Sequence, residues 1–188
     1  MDIYIIRHGP AGDPDPDRWP DDGRRPLTKR GMRKVRDYAA GLRRLGVRLD
    51  WMFTSPLLRA VQTAALSAPK LRVRPERLKR TALLLPTAKP DDLLRMLRGV
   101  ADADGRGDSV RIAVVGHQPH LGELLARLIG GPPDGAAYDL RKGSATFVRL
   151  PAPSPSAPPA TATDSADPAD SPRGELVWSL SPRVLRRL

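Results

Sequence analysis

Short runs of aliphatic and β-branched residues alternate along this chain with segments of helical period, and that alternation limits the fold more than any other feature. Residues 2–6, rich in Ile and Tyr, read as a buried strand closed by Arg7-His8-Gly9. Residues 51–54 read as a second strand, Leu71-Arg72-Val73 as a third, and 111–115 as a β-branched strand closed by Gly116-His117. Two more follow at 145–150 and 175–180, the last expected to pair with the one before it. Between them lie helices. Thr28 can cap one whose apolar positions Met32, Val35, Ala39, Leu42 and Leu45 keep helical spacing until Gly46 stops it. Ser55-Pro56 supplies a cap and a first-turn proline for the next, and Pro90-Asp91-Asp92 opens another with Leu93, Leu94 and Leu97. Residues 120–129 place Leu121, Leu124, Leu125 and Leu128 on one helical face before Gly130-Gly131-Pro132-Pro133 ends it. Strand and helix in alternation predict an α/β three-layer sandwich with a mostly parallel central sheet.

With 188 residues, 40% of them hydrophobic, the chain can bury one sizeable core, and the reading is a single domain over 1–188. Aromatic residues make up only 4%, so aliphatic side chains must fill that core. The absence of cysteine excludes disulfides, thiolate nucleophiles and Cys-based zinc sites. Residues 10–26 form a loop rich in Pro, Asp and Gly, and 102–108 a polar loop. Residues 151–172 hold seven of the chain's 21 prolines together with Ala, Ser and Thr. Such a segment buries too little apolar surface to offset its ordering entropy and reads as a disordered insertion. Asp2 stands where a secretory signal would carry positive charge, and the first apolar run ends at Arg7, too short to cross a bilayer. A cytoplasmic protein without membrane attachment is expected. The net charge of +11 comes largely from Arg scattered along helices, as in Arg43-Arg44 and Arg186-Arg187, and reads as a solvated basic surface. No aromatic-rich basic strand offers base stacking, so no nucleic acid is expected as partner.

Three stretches carry chemistry. Arg7-His8-Gly9 ends the first strand: a neutral imidazole is a competent nucleophile towards phosphorus, Arg7 offers a planar fork to phosphoryl oxygens, and Gly9 lets the backbone approach a phosphate. Thr54-Ser55-Pro56-Leu57-Leu58-Arg59 runs from a strand into a helix N-terminus that favours anions, with Arg59 in the first turns. Val114-Val115-Gly116-His117 ends another buried strand, and His117 as an imidazolium could donate to a non-bridging phosphoryl oxygen. In a parallel sheet ligands bind beyond the carboxyl ends of the strands, where His8 and His117 both fall. Each stretch alone has an ordinary alternative, a satisfied strand-end His or a surface Arg.

Together, and in this order, the three stretches resemble the histidine phosphatase superfamily, also called the phosphoglycerate mutase-like fold. Arg25-Pro26-Leu27-Thr28-Lys29-Arg30-Gly31 is similar to that family's stretch after the first loop. Val177-Trp178-Ser179-Leu180-Ser181-Pro182 is similar to the closing strand of its short bacterial branch, the SixA-type phosphohistidine phosphatases. The resemblance covers about residues 1–150 and 175–185. It implies that His8 is transiently phosphorylated, that Arg7, Arg59 and His117 form the phosphate pocket, and that no metal or organic cofactor is used.

One departure narrows the substrate. Many relatives carry a mid-chain Glu as general acid, whereas here the region reads Thr81-Ala82-Leu83-Leu84-Leu85-Pro86-Thr87, with Glu76 upstream. A sugar alkoxide leaves only when protonated, while an imidazole leaving from phosphohistidine needs less help. Acids of the first loop, Asp13, Asp15, Asp17, Asp21 and Asp22, could reach the site, though each reads first as a solvated loop acid. The expected activity is therefore dephosphorylation of phosphohistidine on a protein. The alternatives are a phosphatase of a small phosphorylated metabolite or nucleotide, and a phosphate-binding module without turnover.

Overall fold

The computed structural model describes residues 1–106, 109–132, 138–151 and 174–188. The disordered insertion expected at 151–172 lies, apart from residue 151, outside the described residues. Six strands, β1 (Asp2–Arg7), β2 (Trp51–Thr54), β3 (Leu78–Arg80), β4 (Arg111–Gly116), β5 (Ala145–Arg149) and β6 (Glu175–Leu180), form one sheet in the order β3-β2-β4-β1-β5-β6. The pairs β3–β2, β2–β4 and β4–β1 are parallel, and β5 is antiparallel to both neighbours. Among the described residues five α-helices accompany the sheet: α1 (Lys29–Arg44), α2 (Leu58–Ser67), α3 (Pro90–Asp104), α4 (His120–Ile129) and the short α5 (Pro182–Leu185).

The pleat of β1 explains why the layers are three. Tyr4 and Ile6 point into a core shared with Val35, Tyr38, Leu42, Ala60, Ala64 and Leu185, the side of α1, α2 and α5. Ile3 and Ile5 point into a second core with Leu93, Leu97, Leu121 and Leu124, the side of α3 and α4. A strand buried on both faces must be apolar at every position, which is why residues 3–6 show so little alternation.

Thr28 caps α1 as expected, accepting from the Gly31 N–H at 2.8 Å, and Gly46, at a φ of 79°, follows its end. The two closing strands pair as expected, and Ser181 caps α5. Three expectations are corrected. Leu71-Arg72-Val73 is no strand: Arg72 sits at a φ of 62°, and the backbone turns there while Leu71 and Val73 fill the core. The third strand is β3, an edge strand in which only Leu78 packs inward. α2 also begins later than Ser55-Pro56, at Leu58, and Ser55 instead holds the approach by accepting from the Leu57 N–H at 3.3 Å. The loop expected at 102–108 begins with the last turn of α3, which ends at a left-handed Gly105.

Candidate active site

Parallel pairing brings the two strand-ending histidines together. β1 and β4 run side by side with Arg7 opposite Gly116, and the His8 N–H donates to the Gly116 carbonyl at 3.1 Å. The next residue of each strand therefore leaves the sheet at the same level, one strand spacing (about 4.8 Å) from its neighbour. The His8 and His117 rings lie 4.9 Å apart between centroids, at 47° to each other. Both are buried, at 5% and 3% exposure.

His8 is held by its own chain. Its Nδ1 lies 2.7 Å from the Gly9 carbonyl, a contact that places the ring proton on Nδ1 and leaves Nε2 bare. Gly9 also has a packing role. Its N–H donates to Thr63 Oγ1 at 3.0 Å, and a Cβ on it would stand 2.4 Å from Val35 Cγ2. The glycine is thus required by the close passage of α1, and its carbonyl orients the imidazole.

The two arginines are anchored alike. Arg7 Nη1 donates to the Leu140 carbonyl and lies 3.2 Å from Asp139 Oδ1. Arg59 Nη1 donates to the Asp22 carbonyl at 2.9 Å and pairs with Asp22 Oδ2 at 3.0 Å. Asp22 also accepts from Arg25 Nε at 2.6 Å, while Arg25 is tied to the Gly12 carbonyl. Using Nη1 for anchorage leaves the opposite edge of each guanidinium, the one carrying Nε, which suits side-on binding of two oxygens of one anion. Arg7 Nε, Arg59 Nε and both ring nitrogens of His117 are buried and have no hydrogen-bond partner among the described residues.

Burial pushes the His8 imidazole down to about 4, opposed by the bond to Gly9 and reinforced by the charges of Arg59, Arg7 and Lys142. Burial pushes His117 down to about 3, helped by His8, Arg59 and Arg7 and opposed by Asp22. Both rings are therefore neutral at pH 7 without a bound anion. The positive surroundings that suit an oxyanion also repel a ring proton from His117 until negative charge arrives.

Asp22, Lys142 and Thr63 join the site without having been singled out for these parts. Asp22 fixes Arg59, and Thr63 links the Gly9 N–H to α2 by donating in turn to the Arg59 carbonyl at 2.7 Å. Lys142 lies in a loop whose Gly143, at a φ of 80°, donates its N–H to the Arg7 and His8 carbonyls, both at 3.0 Å. Two other first-loop acids serve turns: Asp15 accepts from the Asp17 and Arg18 N–H groups, and Asp21 from that of Gly23. Glu76 precedes β3 and so stands at the end of the sheet away from the histidines. Residues 82–84 form a single 3-10 turn with Leu84 buried beside Gly116, so apolar side chains occupy that rim. Among the described residues no group of three or more His, Cys, Asp or Glu could hold a metal ion. No helix among them is long and apolar enough to cross a membrane.

The model of the histidine phosphatase superfamily (branch 1) matches residues 3–81, the span that holds Arg7, His8 and Arg59. An uncharacterised protein of Picosynechococcus sp. is 38% identical over 151 residues, 79% of this chain and 85% of that protein. Among solved structures, the protein histidine phosphatase SixA complexed with tungstate superposes with a TM-score of 0.74 at 24% identity, covering 98% of this chain and 99% of that one. The mycobacterial glucosyl-3-phosphoglycerate phosphatase gives 0.59 at 15% identity, with 93% and 96% covered. The alpha-ribazole phosphatase of Shigella flexneri gives 0.56 at 20%, with 80% and 91% covered.

Proposed function

Because the chain belongs to the histidine phosphatase superfamily and is a phosphatase, we propose that it hydrolyses phosphohistidine on a protein through a covalent intermediate on His8. The observation that carries this reading is the set of buried, unpartnered donors on Arg7, Arg59 and His117 around an imidazole whose proton is fixed on Nδ1. Nε2 of His8 attacks phosphorus in line, forming a new P–N bond as the P–N bond to the substrate imidazole breaks. The substrate imidazole carries a proton on its other ring nitrogen, keeps it as the P–N bond breaks, and departs neutral. Arg7 and Arg59 bind the non-bridging oxygens through their Nε edges, and His117 donates to the same group. His117 takes up a proton as the dianion enters, because the anion reverses the balance of charge that kept the ring neutral. Water then attacks phosphorus, the P–N bond to His8 breaks, and inorganic phosphate leaves. Tungstate, a tetrahedral oxyanion held by the SixA structure of the same fold, fits such a pocket.

Substrate choice follows from the leaving group. Asp22 is held below the usual carboxylate range, chiefly by the hydrogen bond from Arg25, so it is ionised and a poor proton donor. The run at residues 81–87 contains no acid. With Asp22 ionised and no carboxyl in that run, the site suits a leaving group that departs without strong acid help, and phosphohistidine is one. A panel comparing a phosphohistidine peptide with sugar phosphates and nucleotides tests this. The peptide is expected to show the highest kcat/KM, by at least about tenfold; a preference for sugar phosphates or nucleotides would overturn the assignment.

A further inference from the structure

Against the first turns of α2 lies a groove of about 700 Å³ that the chemistry above does not use. Trp19, Leu58 and Val61 give it apolar walls, and Arg18, Arg24 and Arg80 stand around it. The three arginines are exposed and make no ion pair among the described residues; Arg18 does stack on the Trp19 ring at 5.4 Å. The carboxylate on the wall, Asp21, is engaged by the Gly23 N–H at 2.8 Å. Two chain segments link the groove to the phosphate site. Asp22, which binds Arg59, lies between the lining residues Asp21 and Gly23, and Arg59 lies between Leu58 and Val61 on the first turns of α2. Arg80 ends β3 at the same edge of the sheet from which His8 and His117 emerge.

A cleft with apolar walls and unpaired cations is complementary to an extended or helical protein segment that presents an apolar side chain flanked by carboxylates. The geometry points to this groove as the docking site for the acidic, apolar segment that flanks the phosphohistidine in the substrate protein. The inference rests on the proposed function and adds to it the sequence character of the substrate. Phosphoryl oxygens are held by Arg7, Arg59 and His117, and the flanking residues are read separately by the groove, so recognition and turnover are separable.

The experiment uses two synthetic phosphohistidine peptides, one with Leu and Glu beside the phosphorylated residue on either side, the other with Ser and Lys in those places. A chromogenic aryl phosphate serves as the reference that needs no groove. The wild-type chain is expected to turn over the Leu/Glu peptide with a kcat/KM about tenfold above that of the Ser/Lys peptide. In the double variant R18A/R80A that ratio is expected to fall to about one while aryl phosphate turnover is unchanged, which also shows that the fold survives. Equal turnover of both peptides by the wild-type chain, or a preference that survives in the double variant, overturns the docking site and leaves the phosphohistidine reading intact. Hydrolysis of aryl phosphate with neither peptide turned over overturns both. A sugar phosphate whose turnover falls selectively in the double variant would make the groove a small-molecule subsite and overturn the inference.

Discussion

At the scale of single residues, the site depends on which atoms are already engaged. Arg59 is buried and tied through Nη1 to Asp22, so its remaining edge is aimed before any substrate arrives. Replacing Arg59 by Ala is expected to lower kcat/KM by about 10²–10³, the usual cost of removing a donor to a developing oxyanion. Asp22 acts one step removed. D22N keeps the shape but removes the charge that anchors Arg59 and Arg25, and should cost about tenfold, with KM rising more than kcat falls. A loss in D22N as large as in the Arg59→Ala variant would mean that Asp22 itself handles a proton. Steady-state kinetics on an aryl phosphate separates the two. These anchoring contacts were the part of the site least visible in the sequence. His8 and His117 announce themselves by ending β-rich runs, whereas Asp22 lies among several similar acids in a loop, and nothing local distinguishes it. Its selection comes from the placement of Arg59 on α2, 37 residues away.

At the scale of elements, α1 has no room for a side chain at two of its glycines, Gly31 and Gly41. A Cβ at Gly31 would stand 2.0 Å from the Pro10 carbonyl oxygen, and one at Gly41 would stand 1.8 Å from that of Leu185. Neither partner is a side chain able to swing away. Alanine at either site gains a few tenths to about 1 kcal/mol in helix propensity but loses about 1–3 kcal/mol to overpacking, so both variants should melt several degrees lower. They should differ in activity. Pro10 follows the nucleophile's own segment, so Gly31→Ala is expected to reduce turnover, whereas Gly41→Ala displaces only α5 and should leave it near normal. Melting curves and aryl phosphate turnover on the two variants check the contrast. Elements with a one-sided pattern and a cap, such as α1 with Thr28, were legible in sequence. β3 was not, because an edge strand with one inward residue has no alternation to detect, while Leu71 and Val73 mimic a strand by being buried in a turn. Burial pattern reports which side chains face a core, and it identifies strands only where the backbone is also extended.

At the scale of the whole molecule, folding gathers two neutral imidazoles and at least two guanidinium groups at the carboxyl edge of the sheet. That arrangement has a pH signature. In the unfolded chain both histidines titrate near the ordinary value of about 6.5. In the folded chain they resist protonation down to about 4 and about 3. Between these limits the unfolded state binds more protons, so the histidine contribution is intact above about pH 6.5 and is lost as the pH falls, by up to about 1.4 kcal/mol per unit for each ring. Thermal melts from pH 7.5 to 4.5 should show this decline, and the H8Q/H117Q double variant should flatten it; an equal slope in both proteins would contradict the assigned protonation states. The meeting of the two histidines rests on one topological fact, that β1 and β4 are parallel neighbours. The most direct test of the account is to mix the chain rapidly with a chromogenic aryl phosphate, quench it in alkali and map the phosphorylated residue by mass spectrometry. The account predicts an alkali-stable, acid-labile phosphoryl group on His8, absent in H8A; turnover by H8A, or a phosphoryl group carried by any other residue, would contradict it.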